Sequence, residues 1–346
     1  MTPSAANTND ANRPFILLDG GTGREIQQRG GPFRQPEWSA LALYEDPDIV
    51  RAVHESFLNA GSTAITTNTY ALVPYHIGSD RFRKDAPRLF SLAISLAAEA
   101  KGDRQHVQIL GSIPPVCGSY EPQSFDEATA KSILDWFMPV LGDSPLVDAY
   151  LLETVGSTRE ARFYLQYMQS FVKAVAESLD SLSNGTLARE KPVWLSFCIA
   201  SHPGATQTPH LLTGETLTQA VHALIEEGLL TAATVPVVLV NCCDVKLVLN
   251  AVQELHAVLS PLGIRVGAYP NAFSIPPPNA ANHTLRQVDY NVTPGRWAAT
   301  AKSWINAGAS VVGGCCGVGP KYITALASVV AQSKESTDVD IFETLD

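Results

Sequence analysis

The sequence predicts an α/β protein, a single (β/α)8 TIM-type barrel with its active site at the C-terminal ends of the strands. Eight short apolar runs rich in β-branched residues recur along the 346-residue chain, and most gaps between them can hold a crossover helix. The runs are almost continuously hydrophobic, which is typical of parallel strands buried on both faces. A doubly wound open sheet also alternates strands and helices, but the count of eight favours the closed barrel.

The predicted strands are, in chain order, FILLDGG (15–21), TAITTNTY (63–70), VQILGSI (107–113), AYLLET (149–154), VWLSFCI (193–199), VVLVNCC (237–243), RVGAYPN (265–271) and ASVVGGCCG (309–317). Helical periodicity marks the gaps at residues 47–61, 88–101, 161–179 and 216–228. Asp46-Pro47 is a start signal for the first of these helices, and Gly61 is its stop signal. The gap between the sixth and seventh runs is shorter than the others, which predicts a reduced helix there.

Composition divides the chain into one domain and two tails. Residues 1–13 are polar and Asn-rich and are predicted to be a disordered N-terminal tail. Residues 14–332 form the predicted barrel, and residues 333–346 are an expected acidic C-terminal tail. No second domain is expected.

Charge and hydropathy exclude several classes of partner. The formal net charge is −10 and no Lys/Arg cluster is present, so neither nucleic acid nor an anionic membrane surface is an expected partner. The N-terminus lacks the basic and apolar regions of a signal peptide, and no window reaches the roughly 18 apolar residues of a membrane-spanning helix. We therefore expect a cytoplasmic protein whose partners are small molecules.

Two adjacent cysteine pairs stand out among only six cysteines, a number too small for a disulfide scaffold. Both pairs end apolar runs, so either Cys242 or Cys243 should emerge at the same barrel rim as Cys315 and Cys316. Adjacent cysteines face one ion only if the chain leaves strand geometry, and the flanking glycines of residues 313–317 allow such a turn. Three thiolates suit Zn2+ and leave its fourth position open, which is a catalytic arrangement.

Other polar residues end the predicted strands at the same rim. Asp19 and Glu153 could face a ligand ammonium there, or serve as a loop acid or helix cap. Asn241 could hydrogen-bond to a thiolate or substrate, or satisfy a strand end. Tyr70 and Tyr269 could line the mouth or pack in the core. The remaining candidates have a structural interpretation, with Cys117 and Cys198 as small buried hydrophobes and His54 as a packing or surface residue.

Nearly the whole chain, from about residue 14 to 332, resembles the zinc-dependent homocysteine S-methyltransferase family. That family includes users of S-methylmethionine and of betaine, and the homocysteine module of cobalamin-dependent methionine synthase. The matching stretches are LLDGGTGREIQQRG, EWSA, AGSTAITTNTYAL, GSIPPVCGSYEP, YLLETVGSTREA, PVWLSF, VNCCDV, YPN and WINAGASVVGGCCGVGPKYI. Asn-Cys after one strand and Gly-Gly-Cys-Cys-Gly after another, in that order, are highly specific.

The resemblance implies a role for each matching residue. It implies that Cys242, Cys315 and Cys316 bind zinc, with Cys243 as a neighbour. It implies that Asp19, with the backbone of Gly20 and Gly21, lies near the amino-acid end of homocysteine. It also implies that Glu153 binds the homocysteine ammonium. The chain departs from the family at residues 111–120, where many members have Gly-Pro-Tyr-Gly in a loop on the methyl-donor side.

The implied reaction is methyl transfer from a cationic donor to the homocysteine thiol, which gives methionine. Zinc would lower the pKa of that thiol. A sulfonium donor, S-methylmethionine or S-adenosylmethionine, is favoured over betaine and methylfolate. Alternatives are methyl transfer to a related thiol or selenol, and a non-catalytic zinc-binding or redox-sensing barrel. A metal-dependent hydrolase is disfavoured, since His and carboxylate ligands are missing at the strand ends.

Overall fold

A computed structural model describes residues 14–182, 191–202, 205–272 and 292–342. The strands in these residues are β1 (Ile16–Leu17), β2 (Ala64–Thr66), β3 (Gln108–Ile113), β4 (Ala149–Val155), β5 (Val193–Phe197), β6 (Ile199–His202), β7 (Ala205–Leu211), β8 (Val237–Asn241), β9 (Arg265–Tyr269) and β10 (Ala309–Val312). The helices are α1 (Thr22–Gln28), α2 (Ala40–Glu45), α3 (Pro47–Asn59), α4 (Pro74–Ile77), α5 (Ser79–Lys101), α6 (Glu127–Asp143), α7 (Thr158–Leu182), α8 (Leu217–Glu226), α9 (Val245–Leu259), α10 (Pro294–Asn306) and α11 (Pro320–Phe342). Two 3-10 turns lie at Pro122–Ser124 and Ser260–Leu262.

The eight predicted strands form one parallel sheet, as expected. Its order is β1-β10-β9-β8-β5-β4-β3-β2. A parallel bridge between Leu18 and Ala64 joins the two ends of this order, so the sheet curves into a barrel. All eight carboxyl ends therefore face the same rim, which confirms the predicted fold.

Apolar side chains cover both faces of the barrel wall. The inner layer is a compact cluster that includes Leu110, Leu151, Trp194, Leu239 and Val311. The outer, larger cluster lies between the strands and the helices. Burial on both faces explains why the strand sequences show no alternation.

An antiparallel pair, β6 and β7, follows β5 and was not predicted. The fifth run was expected to extend to residue 199, but β5 ends at Phe197 and β6 begins at Ile199. The downstream sequence ATQTPHL lacks the apolar continuity by which the other strands were recognised. Period-two alternation is weak in so short a segment, which explains the omission.

All four marked gaps hold a helix, namely α3, α5, α7 and α8, and the prediction fails at one unmarked gap. Asp46 caps α3, accepting a hydrogen bond from the Ile49 backbone N–H at 3.3 Å, and Thr216 caps α8 in a capping box. The predicted reduced helix between the sixth and seventh runs is wrong. The 15-residue helix α9 fills this gap, capped by Asp244. The short gap holds a full helix because only residues 242–244 connect β8 to α9 and only residues 260–264 connect α9 to β9.

The chain ends are partly outside the described residues. Residues 1–13 and 343–346 lie outside them, so the N-terminal tail remains a prediction. Helix α11 continues to Phe342, so the segment expected as an acidic tail begins as helix. Within the described ranges, no helix combines the length and the apolar character needed to cross a membrane.

Candidate metal centre and active site

Three cysteine thiols converge at the carboxyl ends of β8 and β10. The Sγ atoms of Cys242, Cys315 and Cys316 all lie within 4.8 Å of one another. Cys242 directly follows β8 and has a φ of 49°, in the left-handed region that side chains rarely adopt. This backbone turn takes Cys242 out of the alternating side-chain directions of a strand. Its thiol can therefore point toward those of Cys315 and Cys316.

Hydrogen bonds hold the loop that carries the other two cysteines. The backbone N–H of Cys315 donates to the carbonyl of Pro270 at 2.9 Å. The backbone N–H of Cys316 donates to the side-chain oxygen of Asn271 at 3.1 Å. Gly317, with a φ of 84°, then turns the chain away. Both cysteines are thus anchored to the segment that follows β9.

Glycines are required here mainly for close packing. A Cβ on Gly313 would lie 2.6 Å from the Leu18 Cβ, and one on Gly314 would lie 2.1 Å from Val318 Cγ1. Neither is among the positive-φ glycines of the described residues, so only Gly317 uses the conformational freedom expected of all three.

The glycines that follow β1 form the other side of the same packing. A Cβ on Gly20 would lie 2.1 Å from the carbonyl oxygen of Val318, and one on Gly21 would lie 2.6 Å from that of Cys315. The N–H of Gly21 donates to the Val318 carbonyl at 2.9 Å. Gly20 and Gly21 therefore let β1 approach the cysteine loop.

The three thiols share their protons unequally. The pKa of the Cys316 thiol lies well below its usual range, because the thiols of Cys242 and Cys315 donate hydrogen bonds to its sulfur. The pKa of Cys315 is raised, since its proton is held between the other two sulfurs and is also buried. These opposite shifts reflect the close contact of the three thiols.

Asp19 lies at the end of β1 and is almost fully buried. Its carboxylate accepts hydrogen bonds from the backbone N–H of Thr66 at 2.8 Å and from the Thr66 hydroxyl at 3.1 Å. Burial raises the pKa of Asp19 to about 7, the bonds from Thr66 oppose this rise, and the charge of Glu153 adds to it.

Glu153, near the end of β4, occupies a similar environment. Its carboxylate accepts a hydrogen bond from the Ser112 hydroxyl at 2.6 Å and from the Tyr269 hydroxyl at 3.1 Å. Burial raises the pKa of Glu153 to about 7, against the effect of these two donors. Ser112 and Tyr269 fix the carboxylate, so its position is set before any ligand binds.

Asn241 satisfies the strand ends. Its side-chain oxygen accepts from the Thr154 N–H at 2.9 Å and from the Ser196 hydroxyl at 2.7 Å, and its amide donates to the Thr154 hydroxyl at 2.9 Å. Of its two sequence interpretations, these bonds match the strand-end one. Asn241 links β4, β5 and β8 directly beneath Cys242.

All nine sequence-predicted site residues line one cavity of about 170 Å3. They are Asp19, Gly20, Gly21, Tyr70, Glu153, Asn241, Cys242, Cys315 and Cys316. Tyr269 lines it too, and the Tyr70 hydroxyl lies 2.8 Å from that of Ser119.

One wall of the cavity is aromatic, and of its residues only Tyr70 was predicted from the sequence. We call Phe33, Trp38, Tyr70, His76 and Tyr120 the aromatic wall. The ring centroids of Phe33 and Trp38 are 5.5 Å apart and nearly perpendicular, and those of Trp38 and His76 are 6.5 Å apart. Phe33, Trp38 and Tyr120 lie on loops without periodicity, so no strand or helix pattern drew attention to them.

The remaining cysteines do not join the cluster. Cys243 is fully buried in the outer apolar layer, and Asn271 donates its backbone N–H to the Cys243 carbonyl at 3.1 Å. Cys198 is also fully buried, as expected, and its thiol lies 3.7 Å from the Cys242 carbonyl. Cys117 is only half-buried, but it packs against the outer apolar cluster, in line with the predicted apolar role.

The cluster fits a single metal ion. Zn–S bonds of about 2.3 Å in a tetrahedral site place the sulfurs roughly 3.8 Å apart, which is compatible with three Sγ atoms that lie within 4.8 Å of one another. In the described residues this is the one group of three or more potential ligands close enough to bind a shared ion.

The chain is similar to several named proteins along almost its whole length. It is 24% identical to homocysteine S-methyltransferase 3 of Zea mays, over 92% of this chain and 90% of that protein. It is 23% identical to homocysteine S-methyltransferase YbgG of Bacillus subtilis, over 91% of this chain and 94% of that protein. The metallated form of the homocysteine methyltransferase MmuM from Escherichia coli has the same fold, with a TM-score of 0.66 and 20% identity over 92% of this chain and 96% of that one.

The family profile described as homocysteine S-methyltransferase matches residues 16–330, which span the entire barrel and every residue of the site. This chain therefore belongs to the homocysteine S-methyltransferase family, a family of methyltransferases.

Proposed function

We propose that this protein transfers a methyl group from a cationic donor to the thiol of homocysteine in a zinc-dependent reaction that gives methionine. One observation carries the proposal: the three converging thiols share a cavity with two buried carboxyl groups. A metal site alone would not need the carboxyl groups, and an amino-acid pocket alone would not need the thiols.

Zinc would be held by Cys242, Cys315 and Cys316. When bound, it would lower the pKa of a substrate thiol so that the nucleophilic thiolate exists near neutral pH. MmuM, which shares the fold, has been solved in a metallated form, which supports a metal in this chain as well.

Asp19 and Glu153 would bind the ammonium group of homocysteine. Both carboxyl groups have a pKa of about 7 because they are buried, and an adjacent ammonium would favour their ionised forms. Thr66 on one side and Ser112 with Tyr269 on the other already orient the carboxylates. The substrate sulfur would thereby point toward the thiol cluster, at a fixed distance from its amino-acid end.

The aromatic wall would receive the methyl donor. Cations are attracted to aromatic faces, most strongly to Trp, and Trp38 and Tyr120 both line the cavity. A sulfonium donor such as S-methylmethionine or S-adenosylmethionine fits this wall, and a betaine-type ammonium is the alternative. The homocysteine sulfur would form a bond to the methyl carbon while the donor's methyl–sulfur bond breaks. That electron pair stays on the donor sulfur, which leaves as a neutral thioether.

The free state of all six cysteines is consistent with a reducing compartment, and we propose a cytoplasmic location on that basis.

The proposal is tested by measuring zinc content and methionine formation together. The wild-type protein should bind one zinc ion and form methionine from homocysteine with S-methylmethionine, S-adenosylmethionine or betaine. Cys315→Ala should lose the zinc and at least about 1,000-fold of the activity, as expected for loss of a metal ligand. Cys117→Ala, at a half-buried cysteine outside the cluster, is the matched control and should retain both.

Two results would contradict the proposal. Zinc binding and methyl transfer that both survive in Cys315→Ala would exclude the mechanism. A wild-type protein that binds zinc but methylates no thiol or selenol with any cationic donor would instead support a metal- or redox-sensing barrel.

A further inference from the structure

A positively charged side chain lines the cavity that would receive a positively charged donor. Arg24, in the first turns of α1, is the one Arg or Lys among the cavity-lining residues of the described chain. The rest of the lining includes two carboxyl groups and three thiols, which suit a cation. A guanidinium in this place opposes a donor that carries only positive charge.

Contacts place Arg24 beside Phe33 of the aromatic wall. Its guanidinium carbon lies 6.0 Å from the centre of the Phe33 ring. One of its terminal nitrogens donates to the side-chain oxygen of Gln27 at 2.8 Å, which helps to orient the planar group.

The carboxylate of the donor is the anion that best accounts for this placement. The homocysteine ammonium is assigned above to Asp19 and Glu153, at the ends of β1 and β4, and the homocysteine carboxylate, bonded to the same carbon atom, is the competing anion for Arg24. Arg24 instead shares the Phe33 side, and Phe33 also packs closely on the preceding residue, Gly23, whose Cβ would lie 2.8 Å from the ring. The planar guanidinium matches a carboxylate with two parallel hydrogen bonds.

We propose that Arg24 binds the carboxylate of the methyl donor, so that this protein selects zwitterionic donors over purely cationic ones. The inference rests on the proposed function because it assumes a cationic donor in this cavity. It makes Arg24 a specificity-determining residue for the proposed reaction.

The experiment compares two donors that differ only in the carboxylate. S-methylmethionine has it, and its decarboxylated analogue, 3-(dimethylsulfonio)propylamine, lacks it. Dissociation constants of both are measured by calorimetry with the zinc-loaded wild-type protein, so the result does not depend on turnover. Wild type should bind S-methylmethionine about 10- to 100-fold more tightly than the analogue, the value of one charged hydrogen-bonded pair.

Variants assign that preference to Arg24. Arg24→Gln should lose the preference by weakening S-methylmethionine about tenfold or more while leaving the analogue unchanged or tighter. Arg24→Lys, which keeps the charge, should retain part of it. Arg83→Gln is the control, because Arg83 is exposed and pairs with Asp80 on α5. Zinc content and thermal unfolding verify that Arg24→Gln is folded and loaded.

Each contrary outcome overturns the inference in a recognisable way. A wild-type protein that binds both compounds equally, or neither, excludes a carboxylate site for the donor. An unchanged preference in Arg24→Gln removes Arg24 from it. Loss of zinc, or a raised KM for homocysteine with the donor preference intact, assigns Arg24 to the metal centre or to the other substrate. Failure of methyl transfer by wild type, with the binding preference present, contradicts the proposed function alone.

Discussion

At the scale of single residues, unusual backbone conformations collect around the cavity. Within the described chain, the residues other than glycine with positive φ are Trp38, Tyr120, Thr154 and Cys242, at 49°, 65°, 60° and 49°. Three of them line the cavity, and Thr154 is hydrogen-bonded to Asn241 beneath Cys242. Such conformations cost about 1–3 kcal/mol each and persist where the surroundings over-determine them. Side chains that must face the cavity are thus held there by the packed rim.

Glu153→Gln tests the ammonium site at this scale. The substitution keeps the size of the side chain and removes its negative charge, so we expect the KM for homocysteine to rise about 10- to 100-fold. The value of kcat should change less, because the thiol cluster is intact. Steady-state kinetics at saturating donor measures both constants. Glu127→Gln, at an exposed partner of Arg159, should leave both unchanged.

A Glu153→Gln protein whose homocysteine KM equals that of wild type would exclude an ammonium contact at this carboxylate.

At the scale of elements, the carboxyl ends of the strands explain why so much of the site was predicted. The apolar runs identified the strands, and parallel pairing brings all their ends to one rim. Any polar residue that ends a run is then a candidate, as Asp19, Glu153 and the cysteines were. The aromatic wall comes from the loops, including those after α1 and β3. Loop residues carry no periodicity, so neither Trp38 nor Tyr120 could be placed from its pattern.

Gly20→Ala tests the contact between the β1 end and the cysteine loop. Its Cβ would lie 2.1 Å from the Val318 carbonyl, a backbone atom that cannot rotate away. We expect a loss of about 1–3 kcal/mol in unfolding free energy, together with weaker zinc binding, because the Cys315–Val318 turn must shift. Urea unfolding and competition with a chelator measure the two effects.

The matched control is Gly295→Ala in the first turn of α10, where an added Cβ meets no atom within 4 Å. Its zinc affinity should match wild type, and its unfolding free energy should be equal or up to about 1 kcal/mol higher, because Ala favours a helix over Gly. Equal behaviour of the two variants would show that the β1 end and the cysteine loop are not in tight contact.

At the scale of the whole molecule, the balance of buried titratable groups determines how stability depends on pH. His54 in α3 is fully buried, and neither ring nitrogen has a hydrogen-bond partner within the described residues. Burial lowers its pKa from 6.5 to about 4. The unfolded chain therefore binds a proton on His54 between these values and the folded chain does not, so the contribution of His54 to stability is full above pH 6.5 and falls as the pH drops toward 4. The raised pKa values of Asp19 and Glu153 act in the opposite direction over the same range.

His54→Leu should remove this dependence. The difference in unfolding free energy between His54→Leu and wild type should grow in favour of the variant as the pH falls from 7 to 4, by up to about 3 kcal/mol. Urea unfolding at several pH values measures it. His106→Leu, at an exposed histidine on the surface, is the control. A constant difference across this range would mean that His54 titrates equally in both states.

The sequence by itself determined the barrel, the eight strands and the set of residues at their ends. It could do so because continuous apolar runs report burial on both faces, and because strand ends in a parallel barrel share one rim. Only the tertiary structure decided which chemical groups meet. It separated Cys243, which packs outward, from Cys242, whose positive φ turns it out of strand geometry. It assigned Asn241 to the strand ends and brought Arg24 beside Phe33. These outcomes depend on backbone turns and on contacts between residues far apart in the chain, which local patterns do not encode.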